Sequence, residues 1–199
     1  MPNEILINIH SVIPISTING PGNRMVIFFQ GCDKNCPACF NPGTHSFKTV
    51  SLYSPAGIFK KYPPTQIEGI TVSGGEPFLQ PDGLLEILRV SKENYRLSTV
   101  VYTGFTYKEL KQKLNCQACL EFIDVLIDGR YDESRKETTL LARGSTNQKF
   151  YFLTNRYNKK YFFMPGKVEI LIGKDGVITT GFSRMDIQIN PVRDTSLTG

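Results

Sequence analysis

Residues 31–40 read Gly31-Cys32-Asp33-Lys34-Asn35-Cys36-Pro37-Ala38-Cys39-Phe40, so three cysteines stand within eight residues in the spacing C-x3-C-x2-C. Three thiols on one short loop can converge on a single centre, and soft thiolates select zinc, copper or an iron–sulfur cluster. The chain has 5 cysteines, and an odd number disfavours a framework of disulfides. The loop therefore predicts a metal centre.

The spacing favours a [4Fe–4S] cluster over the alternatives, zinc and free thiols, which stay open. His45 could be a fourth zinc ligand, but C-x3-C-x2-C-x5-H is not a usual zinc spacing. A ferredoxin-type cluster takes four cysteines. Three cysteines leave one iron without a protein ligand, and an open iron can bind a substrate or cofactor. The count thus favours chemistry over electron storage.

On both sides of this loop the sequence predicts alternating strands and helices. Residues 24–30 form a continuous apolar run, which is typical of a strand buried on both faces. Further strands are predicted at 67–73, 98–103 and 123–127, with helices at 54–62, 82–94 and 107–114. Ser54 is the expected cap of the first helix, with Pro55 in its first position. This alternation predicts a parallel sheet with crossover helices.

Candidate site residues follow the carboxyl ends of these strands, where ligand sites gather in such sheets. Besides the cysteine loop they are the stretches Ser73-Gly74-Gly75-Glu76-Pro77, Thr103-Gly104 and Asp128-Gly129. We expect all four to lie on one edge of the sheet.

The length and the C-terminal pattern limit the architecture. With 199 residues the chain is too short for a full eight-fold barrel, which takes about 250, so we predict an α/β fold with an open partial (β/α) barrel. Residues 149–153 and 160–164 are predicted strands, and 169–180 a C-terminal β-hairpin with Asp175-Gly176 at its turn. We expect a frayed polar tail.

Composition excludes several classes of protein. Hydrophobic residues make up 40% and charged residues 21% of the chain, which is ordinary for a globular protein. No apolar run approaches the roughly 20 residues of a membrane span, and the N-terminus has no basic and apolar signal. The net charge of +5 comes from scattered residues. We therefore expect a cytoplasmic protein without a membrane or nucleic-acid partner.

Two motifs together resemble the radical S-adenosylmethionine (SAM) enzymes. They are the C-x3-C-x2-C loop after a strand and Gly74-Gly75-Glu76-Pro77 about 35 residues later. The chain is most similar to the branch that activates anaerobic ribonucleoside-triphosphate reductase and kindred glycyl radical enzymes. That narrower match is carried by residues 19–24, 39–42, 124–129 and 143–148, and the stretch 168–182 is also similar. Ala38 fits this branch, whereas Phe40 replaces a frequent tyrosine and His45 an expected large residue such as tryptophan.

The resemblance implies a cofactor site and a reaction. Cys32, Cys36 and Cys39 would ligate the cluster, and the amino and carboxylate groups of SAM would chelate the fourth iron. An electron would then cleave SAM to methionine and a 5′-deoxyadenosyl radical, which takes a Cα hydrogen from a glycine of the partner. The remaining cofactor-binding residues would be Phe40, Ser73, Gly74, Gly75, Glu76, Thr103 and Asp128. Among them, Gly74, Gly75 and Glu76 would hold the methionine end.

The implied domain is a single radical SAM domain over 1–199, with a core at about 18–148, strands and a hairpin at 149–182 and a polar tail at 183–199. The partner would be anaerobic ribonucleotide reductase, and the electron donor flavodoxin or ferredoxin. Gly22 and Arg24 are expected at a mouth facing the partner, and residues 143–148 at the cleft or partner face. Cys116 and Cys119 are expected to be inert thiols.

Two other functions remain open. One is a radical SAM enzyme that acts on a small molecule or peptide. The other is a zinc or iron–sulfur binding module without turnover.

Overall fold

The protein is described by a computed structural model, which covers residues 4–139, 141–164, 168–173 and 176–181. Its strands are β1 (Ile7–Ser16), β2 (Arg24–Phe29), β3 (Ser51–Tyr53), β4 (Gly69–Gly74), β5 (Ser98–Tyr102), β6 (Val125–Asp128), β7 (Lys149–Phe152), β8 (Val168–Gly173) and β9 (Gly176–Gly181). Its α-helices are α1 (Pro55–Lys61), α2 (Pro81–Glu93), α3 (Tyr107–Gln112) and α4 (Leu114–Glu121). Short 3-10 helices lie at Pro42–Thr44, Pro77–Leu79, Glu133–Arg135 and Lys159–Phe162.

Seven strands form one mixed sheet in the order β3-β1-β2-β4-β5-β6-β7. The central strands β2, β4, β5 and β6 are parallel, and the crossovers between them carry the helices. The flanking strands β1, β3 and β7 are antiparallel to their neighbours. The prediction of an α/β fold is thus confirmed as a mixed sheet that is not closed among the residues described.

A separate antiparallel pair lies near the C-terminal end, where β8 pairs with β9. Of the two residues predicted at its turn, Asp175 lies outside the described part of the chain, as does the predicted polar tail, whereas Gly176 begins β9. The pair contacts the rest of the fold through the Glu169 carboxylate, which accepts hydrogen bonds from the backbone N–H of Thr17 at 2.6 Å and its hydroxyl at 2.9 Å.

The main core lies between the sheet and the helices. Strand β2 is buried along almost its whole length, as its apolar run predicts. Helix α2 turns Leu84, Ile87 and Leu88 toward the sheet, and all three side chains are fully buried. Helix α1 begins as expected, because the Ser54 hydroxyl accepts a hydrogen bond from the N–H of Gly57 at 3.2 Å.

The other face of β5 and β6 is covered by the segments before and after β7, at 141–142 and 157–164, rather than by a helix of the βα pattern. Val100, Val125 and Ile127 pack there with Phe162, whose ring is fully buried. The strand predicted at 160–164 is wrong, because Lys159–Phe162 is a 3-10 helix. The Asn158 side chain accepts a hydrogen bond from the N–H of Lys160 at 3.0 Å, which starts a turn instead of an extended chain.

Arg24 lies at the amino end of β2, and its side chain is completely buried. Its guanidinium donates to the carbonyls of Pro21, Ile70 and Ser98 and to the hydroxyls of Thr71 and Ser98. Burial lowers the pKa of the guanidinium. The expectation that Arg24 faces a partner is therefore wrong, because this arginine joins the amino ends of the central strands inside the protein.

Gly22 lies at the same end. Its φ is +68°, and a methyl group there would collide with the Glu68 carboxylate just before β4. Gly22 allows the tight turn that leads into β2, on the edge opposite to the cysteine loop.

No helix in the part of the chain that is described has the length and apolar character needed to cross a membrane.

Candidate metal and cofactor site

All four stretches predicted to share one edge of the sheet follow carboxyl ends of its parallel strands. The cysteine loop leaves β2, the Gly-Gly-Glu-Pro turn leaves β4, Thr103-Gly104 leaves β5 and Asp128-Gly129 ends β6. The first two stretches are joined by backbone hydrogen bonds. The N–H of Gly75 donates to the carbonyl of Phe29 at the end of β2, and the N–H of Glu76 donates to the carbonyl of Gly31, both at 2.8 Å. The predicted common edge is confirmed.

The three cysteines of the loop are half-buried and unpaired. Asn35 and Ala38 have φ values of +47° and +50°, so the chain turns twice through the left-handed region between the cysteines. The base of the loop is closed by the N–H of Cys32, which donates to the carbonyl of His45 at 3.1 Å.

The thiols suit an iron–sulfur cluster in their chemistry. The Cys32 sulfur accepts a hydrogen bond from the backbone N–H of Lys34 at 3.5 Å, and the Cys39 sulfur accepts one from Asn41 at 3.4 Å. Such bonds to sulfur help to set the potential of a cluster. Burial raises the pKa of both thiols, because a thiolate is less stable away from water. A bound iron would stabilise the thiolate and so offset this rise. The site thus offers three soft donors with two backbone N–H groups already directed at them.

The thiols do not form a finished coordination sphere. Across the residues described, no three His, Cys, Asp or Glu side chains surround one point as a bound metal ion would require.

The two glycines of the turn allow backbone to pack on backbone. Gly74 has a φ of +98°, and a methyl group on it would lie 2.7 Å from the backbone N and O of Phe29. A methyl group on Gly75 would lie 2.8 Å from the carbonyl carbon of Gly31 and closer still to its oxygen. The glycines therefore hold the cysteine loop against β4, a role beyond the predicted approach to a ligand.

Glu76 is the buried acid of this edge, with 1% of its surface exposed. Its Oε1 accepts hydrogen bonds from the Phe78 N–H at 3.1 Å and the Thr103 hydroxyl at 2.8 Å. Its Oε2 accepts one from the Gly104 N–H at 2.7 Å. Burial raises its pKa to about 7, although these hydrogen bonds and the nearby charge of Lys34 oppose the rise. Glu76 thus ties the ends of β4 and β5 together below the cysteine loop.

Sequence reasoning missed Lys34. Its side chain is 8% exposed, and its ammonium lies 3.0 Å from the Asp33 carboxylate and 3.5 Å from the centroid of the Phe105 ring. Its position between the first two cysteines was a signal, because any side chain inside that loop must lie near the thiols.

Asp128 and Ser73 lie on the same edge in different settings. The buried Asp128 carboxylate accepts hydrogen bonds from the N–H of Tyr107 at 2.6 Å and of Lys149 at 3.3 Å. It thereby supports the start of α3 and of β7. Ser73 is half-buried near the end of β4, opposite Phe28 in the register of the sheet.

Phe40 connects the cysteine loop to residues 143–148. Phe40 is 56% exposed, and its ring meets Tyr131 edge-on at 4.7 Å between centroids. A methyl group on Gly144 would lie 2.8 Å from the Phe40 ring. Residues 143–148 are held by the Gln148 amide, which accepts from the Gly144 N–H and donates to the Gly129 carbonyl, both at 2.8 Å. The structure thus places this segment beside the third cysteine.

Cys116 and Cys119 lie elsewhere, on the buried face of α4. The Cys119 thiol lies 3.5 Å from the carbonyl oxygen of Pro81, and burial raises its pKa to about 12. Burial thus favours the protonated thiol at Cys119, whereas nucleophilic attack and metal binding require the thiolate. Both cysteines are buried, and that they are inert stays a prediction.

Comparison with known proteins identifies the family. A family model described as a 4Fe-4S single cluster domain matches residues 18–151. The anaerobic ribonucleoside-triphosphate reductase-activating protein of Vibrio cholerae is 34% identical over 156 residues, which cover 74% of this chain and 99% of that protein. The chain belongs to the family of anaerobic ribonucleoside-triphosphate reductase-activating proteins.

Other members of this family match over similar lengths. The Escherichia coli K12 protein is 32% identical over 155 residues, covering 73% of this chain and 99% of its own. The protein of phage T4 is 31% identical over 159 residues, covering 74% and 96%. The resemblance stated from the motifs is confirmed, and the family model agrees with the expected iron–sulfur cluster.

A solved structure, QueE from Escherichia coli, gives a TM-score of 0.44 at 17% identity over 51% of this chain and 54% of that chain. That likeness is too weak to carry an argument.

Proposed function

We propose that the protein is a radical SAM activating enzyme, which generates a glycyl radical on an anaerobic ribonucleoside-triphosphate reductase. The observation that carries this proposal is the placement of three half-buried thiols beside the buried Glu76, on the carboxyl edge of a parallel sheet. The names of the relatives supply the partner.

Cys32, Cys36 and Cys39 would hold a [4Fe–4S] cluster through three of its irons and leave the fourth open to SAM. When bound, the cluster would supply the electron that cleaves SAM. The chain's own contribution is to hold the loop in place and to exclude water from it. The closed base of the loop and its packing against Gly75 support that contribution.

Gly74, Gly75 and Glu76 would receive the methionine end of SAM. A carboxylate can accept about four hydrogen bonds, and three positions on Glu76 are filled by the protein. The remaining position would accept the α-ammonium of SAM, and Thr103 would keep the carboxylate in place. Ser73, Asp128 and Phe40 would line the rest of the cofactor site on the same edge.

The remaining parts of the proposal concern architecture and partners. The open sheet would be a partial (β/α) barrel of radical SAM type with a C-terminal hairpin, in one domain over 1–199. Its open flank would admit the glycine-bearing segment of the reductase. The electron donor would be flavodoxin or ferredoxin, and the compartment the cytoplasm.

The test is anaerobic reconstitution with iron and sulfide, followed by dithionite and SAM. We expect 5′-deoxyadenosine to form, and a glycine-centred doublet to appear in the electron paramagnetic resonance (EPR) spectrum once the reductase is added. Cys36→Ala should abolish both signals, whereas Cys116→Ala should keep them. Cleavage of SAM without a glycyl radical would favour a small-molecule or peptide substrate. Zinc in place of the cluster, or no cleavage at all, would refute the proposal.

A further inference from the structure

Lys34 is a buried cation inside the cysteine loop. Its backbone N–H donates to the Cys32 sulfur, and its aliphatic chain lies against Gly104 at the end of β5. Its ammonium lies over the face of Phe105, whose ring is itself buried. The side chain therefore points inward, from the loop toward the ends of β4 and β5.

The nearest carboxylate does not account for this burial. Asp33 pairs with the Lys34 ammonium at 3.0 Å, but the Asp33 side chain is 50% exposed, and water weakens an ion pair that involves so exposed a carboxylate. Withdrawing the ammonium from water is unfavourable by more than such a pair restores. Its contact with the Phe105 ring offsets only part of that cost.

The inner face of the site carries negative charge that Lys34 can balance. Glu76 is fully buried, and none of the ion pairs among the residues that the structure describes includes it. The positive charge of Lys34 lowers the pKa of Glu76 and so favours its ionised form. A cluster bound to three thiolates would add further negative charge at this place, and more when it takes up an electron.

We infer that Lys34 raises the reduction potential of the cluster, because its buried ammonium stabilises the more negative reduced state more than the oxidised state. The inference rests on the proposed ligation by the three cysteines. The step is the uptake of one electron by the oxidised cluster, from dithionite in the assay, and no covalent bond forms or breaks. In a site of low dielectric constant such a charge acts strongly, whereas water screens an exposed one.

The chain offers a matched control in Lys113. Its ammonium lies 5.0 Å from the centroid of the same Phe105 ring, but Lys113 is exposed. Replacing either lysine by a neutral residue removes one positive charge near the same ring. Only the removal of the buried charge should change the potential substantially.

The experiment is a redox titration of the reconstituted full-length protein without SAM, followed by the EPR signal of the reduced cluster. Lys34→Met should lower the equilibrium constant for reduction about tenfold, which is a midpoint about 59 mV more negative for one electron. Lys34→Arg should restore most of the loss, and Lys113→Gln should change the midpoint much less than Lys34→Met does.

A second variant covers the case in which Lys34→Met takes up no cluster. A methyl group on Gly104 would lie 2.9 Å from Cγ of Lys34 and 3.3 Å from the Glu76 carboxylate. Gly104→Ala should therefore push the lysine outward and also lower the midpoint. An unchanged midpoint in either variant that carries a cluster, or an equal shift in Lys113→Gln, would overturn the inference alone. A wild-type protein that takes up no cluster would overturn the proposed function and the inference together.

Discussion

Replacing Gly75 by alanine should destabilise the protein and displace the cysteine loop. The added methyl carbon would lie 2.8 Å from the carbonyl carbon of Gly31 and 3.1 Å from its nitrogen, whereas carbon atoms in contact prefer about 3.5–4.0 Å. The atoms that must move belong to the backbone of Gly31, which directly precedes Cys32. Forcing one methyl group into such a contact costs about 1–3 kcal/mol. The same movement would stretch the hydrogen bond from the Glu76 N–H to the Gly31 carbonyl, now 2.8 Å.

Urea unfolding would measure the loss of stability, and iron analysis after reconstitution would measure the displacement of the loop. We expect a loss of about 2 kcal/mol in the free energy of unfolding, or roughly 4–8 °C in Tm, together with a reduced iron content. Gly43→Ala is the matched control, because its methyl group would lie 3.5 Å from the His10 ring, an ordinary contact. Equal stability and full iron uptake in Gly75→Ala, or an equal loss in Gly43→Ala, would refute the reasoning.

Three further predictions concern buried groups. Burial raises the pKa of Glu76 from 4.5 to about 7, so the stability that Glu76 contributes is fully present below pH ~4.5 and is lost as the pH rises through 7. Relative to Glu76→Gln, the wild type should lose about 3 kcal/mol over this range in urea unfolding, and a constant difference would speak against it. Arg24→Met leaves several buried acceptors without a donor and should cost about 3 kcal/mol or more in the same assay. Its iron content per folded molecule should not change, because Arg24 lies at the opposite edge, and selective loss of iron would contradict this placement. Cys119→Ala should cost about 1 kcal/mol through lost packing and leave iron uptake intact, whereas failure to bind iron would make Cys119 a ligand.

Much of the fold could be predicted because its signals are local. The run from Met25 to Phe29 is apolar throughout, as expected of a strand that has neighbours on both sides and is covered on both faces. The Ser54 side chain caps α1 by accepting a hydrogen bond from the N–H of Gly57, three residues further on, and Pro55 is the first residue of the helix. Each of these features depends on residues that are close in the chain.

The elements that were missed have weak local signals. Strand β1 is long, but bulges interrupt its pairing with β2 and its pattern of buried residues. Helix α4 buries Cys116 and Cys119 while Leu114 is 86% exposed, so apolar periodicity gives no sign of it. At 160–164 a strand was predicted, but the side chain of Asn158 caps a 3-10 helix there, and the ring of Phe162 in that helix is buried.

The sequence by itself determined the chemistry of the site, because the three thiols and the Gly-Gly-Glu-Pro turn are each contiguous, and their donor atoms need no distant residue to be recognised. Only the tertiary structure decided what surrounds them. The partners of Glu76 come from β5, Gly75 packs on Gly31 across 44 positions of the chain, and the guanidinium of Arg24 binds strands that follow it by more than 40 residues. Contacts of this kind form when packing brings the strand ends together, and neither the periodicity nor the spacing of residues in the sequence predicts them.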